Sequence, residues 1–329
     1  MENAVNSLFA TRGVVLVPSD LSLADWPERA KAAGLTTIAL HADRDLWRVH
    51  AFLNTQAGAA FIEQCQKLGL HVEYELHAMR QLLPRDLFRL DPTLFRMNEE
   101  GERVPDYNLC VHNQDAIDIV IENVLVAAQM FQPTTGRHFY WGDDGRPWCR
   151  CPKCRGYSDS DQALILENHI IAALRQRDPN AQLAHLAYFN TLEPPKDVRP
   201  GDGIFLEYAP IRRRFDIPYA NQTGPGYQDP LDCLDANLEI FSPSDAQVLE
   251  YWLDVSLFTR SQKDRTTTHV RLPWSLDIVK NDLETYAARG IRHITTFAVL
   301  LDRTYVSRYG DTPLKEYGSA FQEVAASKH

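Results

Sequence analysis

Positive charge is in short supply in this chain: 34 Lys and Arg stand against 44 Asp and Glu, a formal net charge of −10. Proteins that grip the phosphate backbone of nucleic acids usually carry the opposite excess, so that class of partner is disfavoured. Long apolar runs are missing too. No segment approaches the roughly 18 uninterrupted apolar residues of a membrane span, and Met1 to Arg12 lacks a basic stretch followed by an apolar one. The expectation is a soluble, unexported protein with no membrane partner and the cytoplasm as its compartment. Cysteine is scarce, six in 329 residues, which is too few for a disulfide scaffold. No Gly-x-Gly-x-x-Gly follows the first strand-like run and no Walker loop is present, so nothing points to an organic cofactor. What remains is an ordinary globular composition, 44% hydrophobic and 10% aromatic, able to bury a large core.

Short β-branched or aromatic runs alternate with amphipathic segments about eight times, a rhythm that predicts a parallel sheet. The runs are Gly13–Pro18, Thr36–His41, His71–His77, Arg137–Trp141, Gln182–Phe189, Gly203–Tyr208, Ala246–Asp254 and Ile291–Leu301. Between them, helical spacing is carried by Trp26, Ala30 and Ala33, with Ser22 as cap and Gly34 as stop. It returns in Ala57, Ala60, Phe61, Cys65 and Leu68, and again in Ile117, Val120, Ile121, Val124 and Ala128. Further helices are expected from near Ser160, from Asp229 and Pro230 with Leu231, Leu234, Leu238 and Phe241 buried, from Ser275 to before Gly290, and from Pro313 to Ala325. The Pro-rich connection between the fifth and sixth runs has little helical character. Residues 79–113 form a long polar excursion and residues 142–158 a cysteine-rich insert. Eight such units in one chain predict a single (β/α)8 barrel over 1–329, with a doubly wound sheet as the alternative.

In such a barrel the site lies at the carboxyl ends of the strands. The polar residues there are Asp20, His41 with Asp43, Glu75 with His77, Asp143 with Asp144, Tyr188 with Asn190, Glu207 with Tyr208, Glu250 with Tyr251, Trp252 and Asp254, and Asp302. Each also has a bland reading, because alternate strand residues point at the helices and a carboxylate there can pair with an arginine or cap a helix. Together with Trp141, the set suits a sugar. Aromatic faces pack on pyranose rings, and glycoside cleavage needs one group to protonate the leaving oxygen and another to stabilise the anomeric centre. Gly142-Asp143-Asp144-Gly145 can equally be a simple turn.

Cys149, Cys151 and Cys154 form C-x-C-x2-C, three thiolates for one tetrahedral ion, and Cys110 at the end of the excursion is the candidate fourth ligand. A closed four-cysteine site would hold a structural zinc ion and pin the excursion against the Asp143-Asp144 loop. Free thiols or one disulfide are the alternatives. Arg212-Arg213-Arg214 reads as a solvated charge run, or as a grip on an acidic substrate group.

The segments Tyr74–Phe88, Phe95–Cys110, Trp141–Arg155, Ser158–Leu164, Phe205–Arg213 and Leu249–Phe258 together resemble the bacterial proteins carrying domain of unknown function 4838, a group that includes glycoside hydrolase family 163. The resemblance implies a (β/α)8 barrel and retaining cleavage of a β-linked N-acetylglucosamine, assisted by the acetamide of the substrate. On that basis Glu250 is expected to be the general acid, with Glu207 second, and Asp143 or Asp144 to polarise the acetamide. His41, Glu75, His77, Trp141, Tyr188, Asn190, Tyr208, Tyr251, Trp252 and Asp254 are expected to contact an oligosaccharide. Two other outcomes stay open: two carboxylates acting directly on a glycoside without an acetamide, such as a uronic-acid-containing one, or carbohydrate binding without hydrolysis. The helical shell could carry a homo-oligomeric contact, but no long apolar seam assigns one.

Overall fold

The computed structural model describes residues 8–42, 45–222, 230–259 and 269–327. Eight strands, β1 (Thr11–Leu16), β2 (Thr37–Ala42), β3 (His71–His77), β4 (Arg137–Trp141), β5 (Gln182–Ala187), β6 (Ile204–Tyr208), β7 (Gln247–Glu250) and β8 (His293–Phe297), form a closed barrel in sequence order. All neighbours are parallel, and β8 closes on β1 through pairs such as Gly13 with Thr295 and Val15 with Phe297. The expected (β/α)8 barrel is therefore the fold.

The helices are α1 (Trp26–Ala32), α2 (Leu46–Leu53), α3 (Gln56–Leu68), α4 (Met79–Leu82), α5 (Gln114–Met130), α6 (Asp159–Arg175), α7 (Pro230–Leu238), α8 (Leu276–Ala288), α9 (Arg303–Tyr309) and α10 (Thr312–Ala326). Local chemistry sets their ends. Thr55 accepts from Gly58 N at 3.0 Å to start α3, and Gly69 closes it in the left-handed region at φ +66°. Ser158 and Asp161 form a reciprocal capping box at the head of α6. Ser22 is not the cap of α1: it ends a short 3-10 turn, Pro18–Ser22, and Asp25 occupies the cap position. Asp229, expected to cap α7, lies outside the described residues. No α-helix separates β5 from β6, where only a 3-10 turn, Phe189–Thr191, stands in for one. The seventh run is also shorter than expected, since the ladder stops at Glu250 and residues 251–254 turn over the barrel mouth.

Strand alternation divides the barrel into a lumen and a shell. Val15, Ala39, Phe139, Trp141, Ala184, Phe205, Ala209, Leu249, Tyr251 and Phe297 pack together inside. The larger cluster, including Val14, Leu16, Leu40, Leu76, Tyr208, Val248 and Trp252, packs outward against the helices. No described helix is long and apolar enough to cross a membrane.

Candidate active site

The lumen below the mouth is polar. Glu73, Glu75, Arg137, Glu207, Gln247 and Thr295 are all buried there. Gln247 Nε2 donates to Glu207 Oε1 at 3.1 Å and lies 3.4 Å from both Glu75 Oε1 and Thr295 Oγ1. The Arg137 guanidinium lies 3.7 Å from the Phe205 ring centre. Burial pushes the Glu207 carboxyl up to about 8, against the opposing pull of Trp141 and Arg137. Burial and the neighbouring Glu207 push Glu75 well above the usual carboxylate range.

Above this plug, at the carboxyl ends of the strands, lies a cavity of about 580 Å³. Its wall includes His41, His77, Trp141, Asp144, Tyr188, Tyr251 and Asp254 from the expected set. Trp141 forms the floor, with its Nε1 donating to Glu207 Oε2 at 2.7 Å and its ring 4.9 Å from that of His77. His77 Nδ1 lies 2.7 Å from Gly142 O and His41 Nδ1 lies 2.8 Å from Glu75 O. A carbonyl only accepts, so both Nδ1 atoms carry the proton, and in the neutral ring Nε2 is left as an acceptor. Burial, reinforced by His77, pulls His41 down to about 3, which keeps it neutral. His77 Nε2 lies 3.9 Å from Asp144 Oδ1. Burial and the adjacent Asp144 push the Tyr188 hydroxyl far up, so it stays a donor. Asp254 Oδ1 accepts from Ser256 N at 2.9 Å, Ser256 Oγ at 2.6 Å and Leu257 N at 3.3 Å.

Several expected contacts lie elsewhere. Glu250 faces the shell, fully buried, accepting from Arg213 Nη1 at 2.6 Å and from the Tyr286 hydroxyl. An acid there cannot reach a sugar in the mouth. Its neighbours Leu249 and Tyr251 face the lumen, so the alternation of β7 turns Glu250 and Trp252 away together. Trp252 Nε1 points at Asp282 Oδ2, 3.2 Å away, and Tyr208 meets the Tyr219 hydroxyl at 3.2 Å, both behind the sheet. Glu75 and Glu207 face inward but sit beneath the Trp141 floor with no exposed surface. Asn190 is tied to Asp159 Oδ2 at 2.6 Å, outside the main cavity. The Gly-Asp-Asp-Gly turn sends its carboxylates different ways: Asp144 enters the cavity, whereas Asp143 lines a smaller recess beside Trp148. Gly145 makes that turn at φ +57°, where an added Cβ would lie 3.3 Å from the Phe189 ring. Arg213 is no solvated cation: it bridges Glu250 and Asp282, the latter at 2.7 Å, and these two carboxylates hold its charge against burial. Asp43 lies outside the described residues. Asp302 caps α9, accepting from Tyr305 N at 2.9 Å.

Reading by strand ends missed Arg48, Ser256, Phe297 and Leu300 on the cavity wall. Leu300 sits at φ +64°, and its N–H donates to the buried Asp20 at 2.9 Å, joining the loops after β1 and β8. Burial pushes Asp20 up to about 7.

Beside the mouth, Cys110, Cys149, Cys151 and Cys154 are buried free thiols whose sulfurs lie within 4.8 Å of one another. Cys110 Sγ is 3.8 Å from both Cys151 Sγ and Cys154 Sγ. A tetrahedral ion with metal–sulfur bonds of about 2.3 Å sets its sulfurs about 3.8 Å apart, so the donor set fits one. Met97 N approaches Cys149 Sγ at 3.3 Å and Arg103 Nη1 at 3.7 Å, donors of the kind that support thiolate ligands.

A closed (β/α)8 barrel with an aromatic, carboxylate-bearing cavity at its strand ends belongs to the barrel class whose sites are assembled from βα loops. Within that class the chain belongs to the family defined by domain of unknown function 4838 (DUF4838), whose sequence model matches residues 25–232. No curated protein matches it. Among solved structures it is similar to Gan42B, a family 42 β-galactosidase from G. stearothermophilus, with a TM-score of 0.58 and 11% identity, over 97% of this chain and 57% of that one. It is also similar to a cold-adapted β-galactosidase from Rahnella sp. R3, with a TM-score of 0.54 and 10% identity, again over 97% and 57%. The chain thus spans little more than half the length of these structures, and the likeness is one of fold.

Proposed function

We propose that the protein is a glycoside hydrolase and that the strand-end cavity is its active site. The observation that carries this is a pair of carboxylates, Asp144 after β4 and Asp254 after β7, reaching one aromatic-lined cavity from two separate loops. Cleaving a glycosidic bond takes two such groups. Asp254, held in place by three donors, is assigned to the charge that develops at the anomeric centre. Asp144, whose side chain is 38% exposed beside Tyr188, is the group able to exchange a proton with water.

The family resemblance supports a β-linked N-acetylhexosamine as substrate. An acetamide offers one N–H and one carbonyl oxygen, and the cavity supplies a carboxylate for the first and the Tyr188 hydroxyl for the second. Asp144 gives its proton to the glycosidic oxygen as the C1–O bond breaks. The acetamide oxygen attacks C1, and Asp254 stabilises the positive charge that develops on the acetamide nitrogen. Water then attacks C1 as the bond from C1 to the acetamide oxygen breaks and the acetamide is restored; the water's proton passes to Asp144, and the configuration is retained. The four cysteines are assigned to a structural zinc ion that ties residues 79–113 to the loop bearing Asp144; it takes no part in these steps.

The test is hydrolysis of p-nitrophenyl N-acetyl-β-glucosaminide by the wild type, Asp144→Asn and Asp254→Asn, together with binding of an N-acetylglucosamine thiazoline. Each substitution should lower kcat by about 10²- to 10⁴-fold, and the thiazoline should compete with substrate. Unchanged rates in both variants would sink the assignment. Turnover without thiazoline inhibition would replace the acetamide by a direct carboxylate mechanism.

A further inference from the structure

The cavity wall contains one guanidinium among its described residues, and it is poorly partnered. Arg48, on α2, lines the mouth yet keeps 78% of its side chain in solvent. Its ion pair is with Asp45, at 3.9 Å and in an exposed setting where such a contact contributes little. The other oxygen of Asp45, Oδ1, caps α2 by accepting from Trp47 N at 3.1 Å. Arg48 therefore presents most of its five N–H donors to whatever enters the mouth. Asp144 and Asp254 reach the cavity from the loops after β4 and β7, whereas α2 follows β2. An anionic group on the substrate would be repelled by the first two and drawn to the third.

We propose that Arg48 is a specificity-determining residue that recognises an anionic oxyacid substituent, a carboxylate or a sulfate ester, on the sugar at the mouth. The proposal rests on the glycoside-binding reading of this cavity and narrows its substrate class to acidic oligosaccharides. A guanidinium fork matches either group in bidentate fashion, which a lysine ammonium cannot do.

The experiment is calorimetric binding of three disaccharides, chitobiose, 6-O-sulfated chitobiose and glucuronosyl-N-acetylglucosamine, to the wild type, Arg48→Gln and Arg48→Lys at 20 and 200 mM salt. In the wild type at low salt, at least one charged ligand should bind about five- to tenfold more tightly than chitobiose, and the preference should shrink at high salt. In Arg48→Gln the ratio should fall to about one. Arg48→Lys should keep only part of it. Preference for the glucuronosyl ligand alone identifies a carboxylate, and for the sulfated ligand alone a sulfate ester. Equal binding of charged and uncharged sugars, or a preference that survives Arg48→Gln, overturns the role of Arg48 and leaves the glycoside reading standing. If no disaccharide binds the wild type, both fall.

Discussion

Glu250 is held between the Arg213 guanidinium and the Tyr286 hydroxyl, and Arg213 in turn meets Asp282, all without solvent exposure of the charged side chains. Removing one member of such a buried set leaves a charge short of its partner and costs about 3–5 kcal/mol. Glu250→Ala should therefore lower unfolding free energy in urea by about that amount, while kcat per folded molecule stays within a few-fold of wild type. A loss of several orders in kcat with unchanged stability would return Glu250 to the chemistry. At this scale the sequence is only half legible. Spacing assigns Glu250 to a strand end, but one residue of parity decides between lumen and shell, and that parity depends on where the ladder starts. The same parity places Tyr251 in the cavity and Trp252 behind it. Arg213 inside a run of three arginines carries no local mark of burial, because its carboxylates come from β7 and α8.

Among the elements, the cysteine insert is the most legible, since three cysteines within six residues stand out by spacing alone and lie together with Cys110. Its partner segment was not, because residues 85–106 hold their shape through contacts between distant positions. Phe95 pairs with Leu109 and Met97 with Arg103 in antiparallel bridges, and Arg150 N donates to Met97 O at 2.9 Å. Asn108 then links the excursion to the Asp143-Asp144 loop, accepting from Asp143 N at 2.9 Å and donating to Arg146 O at 3.1 Å. Metal binding, loop order and the position of Asp144 are thus expected to move together. Purified protein should contain one zinc per chain by mass spectrometry. Stripping it with a strong chelator, or substituting Cys110→Ser, should open residues 85–106 to limited proteolysis while the far-ultraviolet dichroism of the barrel persists. Equal protease resistance with and without metal would reduce the four cysteines to core residues. The missing helix between β5 and β6 was legible from its prolines, but α9 was not, because it is a short helix set by the Asp302 cap and packed through Tyr305.

Over the whole molecule the net charge of −10 says little about pH dependence, because the groups that matter are buried and pull in opposite directions. Burial lowers His41 and His293 to about 3 and His138 to about 4. An unfolded chain takes up those protons near 6.5, so the native state loses stability as pH falls below that value. Burial raises Asp282 to about 6, Asp20 to about 7 and Glu207 to about 8. There the native state holds protons that an unfolded carboxyl has already released near 4, so stability falls as pH rises through these values. From about pH 4.5 to 6.5 the two sets offset one another. Above 6.5 the histidines are neutral in both states and the carboxyls act alone, so the unfolding free energy should decline between pH 6.5 and 8.5. Glu207→Gln isolates the largest of these contributions. The amide oxygen still accepts from Trp141 Nε1, and Gln247, whose Oε1 is buried without a partner, can turn to accept from the new amide. With no proton to lose, the variant should decline less over that interval, by on the order of 2 kcal/mol, in urea titrations at each pH. An identical decline in wild type and variant would move the retained proton to Glu75, the other lumen carboxyl that shares the Gln247 amide.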